Sequence, residues 1–443
     1  MTATTWLRLT LAVIVCTPAT APAGVILTIP GEIGGYFAAE SRVFFFDAAL
    51  PGQRRESGIA DAVLEPEWFY GWNDGDDGIT FRPFLRVDSD DPRRTHFDVR
   101  QLDYLHVGAG WEGRIGIGKV FWGVTESAHL VDVINQTDAI EDIDREDKLG
   151  QPMAQLTLPT DLGRFELLVL PGFRTRTFPG RHGRLRAAFV VDDDVDFEAR
   201  LGRSHVDAAA RWSVIAGDWQ WALSHFYGTG RDPRFRTKLP ATLPGDVEAL
   251  LRRTKLTAVY DLIHQTGLEL QYTGENLLGK LEAIGRGGQG DYRFAAVAGV
   301  EYTFYGVFGS GIDAGALCEA LYDSFVPEDL PSAEAIPQEA SVAVVADVLR
   351  GIEIDSPPSP FEHDLFAGLR LTFNDTQSTQ ILVGAIVDVI DGSRFWSIEA
   401  SRRLGERWSI AADLRLFAGF ADDSYFHGLR EDDFVQLRLA YYL

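Results

Sequence analysis

Cysteine is nearly missing from this chain: Cys16 and Cys318 are the two present among 443 residues. With residues 1–23 removed on export, Cys318 would stand alone and no intrachain disulfide could form. Long apolar runs are missing as well. After the N-terminus nothing approaches the about 18 consecutive apolar residues that a membrane-spanning helix needs. Basic charge is scarce, with 41 Lys and Arg against 65 Asp and Glu and a formal charge of −24. Loss of residues 1–23 takes away Arg8 and no acid, which gives −25 and speaks against nucleic acid as a partner. Methionine occurs twice, and the nine histidines are scattered without paired metal-ligand spacing. No metal or other cofactor is expected.

Residues 1–23 read as a secretory signal. Arg8 and the amino terminus are positive, Leu9–Val15 is a short apolar core, and Ala19-x-Ala21 or Ala21-x-Ala23 offers a small-residue cleavage site. Cleavage after Ala23 is expected, leaving 24–443 as one unit. Val15 argues against a lipid-modified Cys16, since such sites need a small residue there.

What the chain has in quantity is period-two alternation. Val435, Leu437, Leu439, Tyr441 and Leu443 fall on one side of a terminal strand, Gln436, Arg438, Ala440 and Tyr442 on the other. Tyr292 to Phe304, Leu365 to Phe373 and Trp408 to Leu416 repeat the pattern, with full charges opposite each apolar face. Alternation alone fits a soluble sandwich as well as a membrane barrel. The connections separate the two. About eighteen strands are expected, and those of even number are followed by short connections, such as 73–77, 109–110, 160–162, 217, 265 and 405–406. Connections after odd-numbered strands are mostly long, including 122–151, 171–204, 229–251, 275–290 and 323–362. One end of tight turns and one of large loops is the asymmetry of outer-membrane barrels. The expected fold is therefore all-β: a transmembrane antiparallel β-barrel, with 16 or 20 strands as alternative counts. The apolar stretch 341–349 reads as a loop helix or a further strand.

On this architecture the mature chain resembles the Gram-negative porins. It departs from their pattern in ending at Leu443 rather than Phe or Trp, and in carrying Arg438 and Ala440 where a glycine often stands. The resemblance implies a bacterial outer-membrane location, contact with lipid and lipopolysaccharide, passage of small polar solutes, and a homotrimer as one arrangement.

Residues 122–151 hold the candidate constriction. Glu126, Asp132, Asp138, Glu141, Asp142, Asp144, Glu146 and Asp147 are opposed there by Arg145 and Lys148 alone. By ordinal position this is the third outer loop, which in many porins folds into the barrel. Its Leu130, Val131, Val133, Ile134, Ile140 and Ile143 suit a covered position better than bulk water. Asp138 with Glu141 matches a helix-start capping pattern. Lumen-facing bases are expected at Arg42, Arg82, Arg86, Arg114, Arg164, Arg211, Arg293, Arg370, Arg415 and Arg438, with acids at Glu40, Glu65, Glu67, Glu112, Glu166, Asp261, Glu301, Glu399 and Asp413. Acids on an inserted loop facing arginines on the wall would set a transverse field across a pore. Pairing between neighbouring strands is the plainer reading of the same charges.

Arg174, Arg176, Arg181, Arg184 and Arg186, followed by Asp192, Asp193, Asp194 and Asp196, suit either lipopolysaccharide phosphates or internal pairing. Aromatics at strand ends, among them Trp68, Tyr70, Trp72, Trp111, Trp122, Trp219, Trp221, Trp396, Trp408, Tyr441 and Tyr442, suit interfacial girdles. Gly108 to Gly113 matches G-x-G-x-x-G but sits between two strands, so the phosphate-cradling geometry is missing. His-x-Ser and Asp-x-His, marks of barrel phospholipases and proteases, do not occur. No catalytic residue is nominated, and an enzyme is not expected. A passive channel is the leading expectation. The alternatives are a substrate-specific exporter or uptake barrel, for instance for an acidic polysaccharide, and a non-conducting structural or adhesive barrel plugged by 323–362.

Overall fold

Alternating strands whose two faces meet lipid and water can satisfy every backbone hydrogen bond only by closing into a ring. In the computed structural model eighteen strands do so. It describes residues 30–54, 57–290, 292–324, 341–350, 363–390, 392–420 and 428–443, with the backbone alone of 10–12, 26–28 and 353–354. Within the expected signal segment only Thr10–Ala12 is described, paired with Ile26–Thr28.

The first six barrel strands are β1 (Glu32–Phe44), β2 (Gly58–Trp72), β3 (Asp77–Asp88), β4 (His96–Gly108), β5 (Trp111–Gly118) and β6 (Gln151–Thr160). Next come β7 (Gly163–Pro171), β8 (Val206–Ala216), β9 (Trp219–Thr229), β10 (Leu262–Thr273), β11 (Leu277–Gly287) and β12 (Arg293–Phe304). The last six are β13 (Asp313–Asp323), β14 (His363–Thr372), β15 (Gln380–Asp388), β16 (Arg394–Leu404), β17 (Trp408–Ala418) and β18 (Phe434–Tyr442). Each pairs antiparallel with its sequence neighbours. β18 closes the ring on β1, from Phe434 opposite Phe44 to Tyr442 opposite Tyr36.

The eighteen-strand count is met, yet one region is threaded differently from the sequence reading. Strands over 252–264 and 266–274, joined by a turn at 265, are the expectation from sequence, followed by a long connection over 275–290. Instead residues 262–273 form one continuous strand and 277–287 the next. The outer face of β11 carries Gly279, Ala283, Gly285 and Gly287 around a single Leu281, which leaves little apolar signal. Neighbouring rings occupy that space: a Cβ at Gly285 would lie 2.0 Å from the Tyr292 hydroxyl, and one at Gly287 2.3 Å from His264. The turn that follows is tight, with Gly288, Gln289 and Gly290 all at positive φ.

Connections sort by end, as the alternation of short and long segments implies. The turn end bears aromatic contacts facing outwards: Trp68, Tyr70, Trp72 and Tyr104 stack in series, Trp219 meets Tyr272, and Trp408 meets Tyr441. Trp122 is no girdle residue but is buried within a loop, 2% exposed. The expected apolar stretch near 341–349 is a helix, α2 (Val342–Arg350), packed against α1 (Val247–Arg253) through Leu250, Val345, Ala346 and Leu349. These helices cover a small sheet at the loop end, built from Val190–Phe197, Lys255–Tyr260, Arg234–Lys238 and Glu353–Ile354. The rest of 325–362, the expected plug, lies outside the described residues.

Facing directions give a direct test. Leu437→Arg, on the outer side of β18, is expected to destabilise the barrel by about 2–4 kcal/mol in lipid. Ser409→Arg, on the inner side of β17, is expected to change stability by less than about 1 kcal/mol. Urea titration of the folded gel form in vesicles checks both.

Candidate functional site

The segment from Lys119 to Gly150, between β5 and β6, lies inside the barrel and touches walls on several sides. Its stem is clamped by Asn135, whose side chain accepts from the Val120 amide at 2.8 Å and donates to the Gly118 and Leu149 carbonyls at 2.9 Å. Paired backbone then carries it back: the Asp138 amide donates to the Asp147 carbonyl and the Leu149 amide to that of Gln136. Asp138 and Glu141 close a single turn and no helix starts there. The Asp138 carboxylate is drawn away from capping by Arg100 (2.6 Å), His96 (3.6 Å) and the Thr177 hydroxyl (2.5 Å).

Burial of the loop's apolar side follows from what the wall presents. Met153, Leu168, Leu170, Ala209, Phe226, Ile263, Ile284 and Ala295 point inwards from β6 to β12, where water would otherwise meet them. Trp122, Val131, Val133 and Ile134 cover that patch and are themselves at most 4% exposed. Apolar side chains on both faces of one strand, as at Leu167–Leu170, are the mark of a wall covered from within.

Two wall carboxylates fix the adjoining stretch of the segment. Glu282 of β11, fully buried, accepts from the amides of Val124 (2.7 Å), Thr125 (3.0 Å) and Val131 (3.2 Å) and from the Thr125 hydroxyl (2.7 Å). Glu319 of β13 accepts from the amides of Glu126 (2.9 Å) and Ser127 (2.8 Å) and from the Ser127 hydroxyl. Neither acid was singled out from sequence. Glu282 sits in the strand mistaken for a loop, and nothing in the sequence says that an amide, rather than a cation, will meet Glu319.

The eight loop acids part into two groups. Asp132, Asp138 and Glu141 are held by Lys148 (3.1 Å), Arg100 and Arg86 (2.6 Å) respectively, away from water. Burial would raise Asp138, but His96, Arg100 and Thr177 outweigh it and hold the carboxyl well below the usual range. Glu126 meets Arg370 and Lys280 (3.4 Å). Asp142 and Asp144 lie 3.8 Å from Arg42 and Arg415, and Glu146 lies 3.1 Å from His129. At the tip Asp144, Glu146 and Asp147 are exposed within the lumen. Enclosure there, and after it the charge of Asp142, pushes Asp144 up to about 7. Enclosure and then Glu141 push Asp147 up to about 6.

Of the expected wall arginines, Arg42, Arg86, Arg370 and Arg415 meet the loop acids. Arg82 pairs with Glu65 and Glu67, Arg164 with Glu166, Arg211 with Glu166 and Glu269, and Arg293 with Asp323. Arg438 lies 3.5 Å from Glu40. Arg114 lies opposite Leu105 on β4 and makes no ion pair among the described residues. Asp261 stands one residue before β10 and is paired with Arg234 of the small outer sheet, not on the barrel wall. His96, Asp138 and Glu141 bring their ligand atoms within 4.8 Å of one another, a grouping their sequence spacing hides. Arg100 and Arg86 already occupy both carboxylates, which fills the place a cation would take.

The basic and acidic blocks of 174–196 also find separate partners. Arg174 meets Asp98, Arg176 meets Asp232, Arg184 meets Asp432, and Arg181 donates to the Arg252 carbonyl. Asp192 and Asp194 meet Lys238, Asp193 meets Arg93, and Asp196 meets Arg236. Asp232 takes in Arg145 (2.6 Å), Arg176 (2.6 Å) and Arg286 (3.5 Å) together, and these guanidiniums hold its carboxyl well below the usual range against the effect of burial.

A closed eighteen-strand barrel, apolar without and charged within, defines a porin-like outer-membrane β-barrel. No protein-family model matches the chain, and no curated protein does. Among solved structures the chain is similar to Pseudomonas aeruginosa OccK9 (OpdG), at 11% identity and TM-score 0.50, with 93% of this chain and 98% of that one covered. A BenF-like porin from Pseudomonas fluorescens Pf-5 matches at 10% identity and TM-score 0.49 over 93% and 98% of the two chains. Escherichia coli Wzi, described as a carbohydrate-binding β-barrel involved in group 1 capsule assembly, matches at 7% and 0.47 over 92% and 84%. At these identities the likeness is one of fold.

Glu282→Ala removes four acceptor contacts at once. Amide exchange at Val124, Thr125 and Val131 is expected to quicken about ten- to a hundredfold, a local loss of about 1–3 kcal/mol, with strand amides unchanged.

Proposed function

We propose that this protein is an outer-membrane channel, not an enzyme, for passive diffusion of small polar and charged solutes, and that the segment 119–150 is its constriction. The observation that carries the reading is the split within the loop. Its base is fixed by amides to Glu282 and Glu319, while Asp144, Glu146 and Asp147 stand exposed at the tip inside the barrel. Eighteen strands enclose a water-filled interior rather than a packed core. Carboxylates held there, between low-dielectric walls, concentrate cations. The buried Asp132, Asp138 and Glu141 are matched by their own cations and act as structure, so the field at the pore comes from the tip.

A second reading is supported by the Asp232 cluster. Three guanidiniums on one carboxylate leave positive charge beside the lumen, which favours an anionic solute such as an acidic polysaccharide. Reversal potentials in planar bilayers separate the two: cation preference supports the first, anion preference the second, and a silent barrel neither.

The acids at the tip give the channel a pH signature. Asp144, near 7, and Asp147, near 6, are charged at about pH 8 and mostly neutral at about pH 5. Cation preference is expected to be greatest at the alkaline end and to fall as the pH drops through that window. Asp144→Asn with Asp147→Asn should flatten the profile. Deletion of 126–147 should raise conductance several-fold, and unchanged conductance and selectivity would remove the constriction from this loop.

A further inference from the structure

The connection between β7 and β8 does more than pair its own charges. From Phe173 to Ala187 it leaves β7 and crosses to loops on a distant part of the rim, β1 being six places round the barrel and β18 seven. On the way it lies on the lumen segment: Thr177 forms a bridge with Asp138 and donates its hydroxyl to the same residue. At the far side Arg184 donates to Asp432 at 2.5 Å and to the carbonyls of Phe46 and Glu431, and the ring of Phe44 lies 4.2 Å beneath its guanidinium. The Leu185 amide donates to the other oxygen of Asp432 at 2.9 Å. Arg184 and Asp432 are both nearly fully buried. Two further ties flank them, the Arg54 amide to the His182 carbonyl and the Gly180 amide to Asp91 at 2.5 Å. Side chains are shut out at this contact: a Cβ on Gly180 or Gly183 would sit 2.4 or 2.6 Å from the Asp91 carboxylate.

A surface loop in bulk water needs no buried ion pair on the far rim. We propose that residues 173–187 form a strap across the loop-end mouth, latched by Arg184 and Asp432, and that this strap sets the upper size of solute the barrel admits. The inference rests on the channel reading above and adds a second, outer restriction to it. Its anchorage differs from that of the inner one: the strap is tied to the loops after β1, β3 and β17, while the lumen segment is tied to wall residues of β3, β4, β11 and β13 and meets the strap at Thr177. Solutes pass the strap first and meet the acidic tip second.

The test severs the strap after folding, so that misfolding cannot imitate the result. A specific protease site is inserted after the exposed His182, and the barrel is reconstituted and cut. Conductance in planar bilayers and uptake of uncharged oligosaccharides of increasing length in liposome swelling are then read. The expected result is a rise in conductance of about twofold or more and admission of longer sugars, with ion selectivity retained because the tip is untouched. Complete cleavage with conductance and size limit both unchanged overturns the proposal. A companion variant, Arg184→Leu with Asp432→Leu, removes the latch without stranding a buried charge and should shift both readouts the same way. Deletion of 126–147 serves as the control. If that deletion conducts while the cut barrel is unaltered, the strap proposal alone fails. If both stay silent, the channel reading fails with it.

Discussion

Ring closure between β18 and β1 is the constraint from which the interior follows. In hydrocarbon an unpaired backbone group costs several kcal/mol, so the edge strands must meet. Nine register pairs join them. Closing eighteen strands makes a cylinder too wide for wall side chains to fill. The chain meets that width with its own connections. The segment after β5 occupies the lumen, the segment after β7 crosses above it, and the small sheet with its two helices stands at the same end.

Charge compensation inside this cylinder is uneven, and the unevenness is informative. Arg86 meets Glu40, Asp61 and Glu141 at once, and Arg94 meets Asp61 and Asp88, so ion pairs link the β1–β3 wall to the lumen segment. Removing one partner of such a pair costs far more than the pair contributes, because a charge is left buried and alone. The matched groups hold the loop in place. At its tip Asp144 lies 3.8 Å from Arg415 and Asp147 has no ion pair among the described residues, and both remain open to water and ions.

Much of the architecture was legible in the sequence because it rests on a local rule. Side chains alternate every second residue, and glycine-rich short connections mark one end. That rule gave the inner register of Arg42, Arg86, Arg370 and Arg415 and the outer register of Leu437 and Leu439. It failed over 252–290, where four of the outward positions of β11 are glycine or alanine and the covering rings belong to other strands. The interior was legible in part. Acidic composition located the loop, and its valines and isoleucines suggested cover. Which carboxylates would be consumed was not readable, since that depends on contacts up to hundreds of residues apart, as for Arg184 with Asp432. Glu282 and Glu319 were invisible for a related reason: their partners are main-chain amides, which every residue but proline supplies.

That last point bears on how this molecule can change over time. Because Val124 is fastened to Glu282, and Ser127 in part to Glu319, through main-chain amides, the identities of these two residues matter less to that attachment than the acids that receive their amides. Mutational drift at such positions can therefore proceed without loosening this stretch, so long as Glu282 and Glu319 persist. Such a barrel is an adaptable scaffold, in which filtering properties can be rewritten residue by residue while the mounting stays the same.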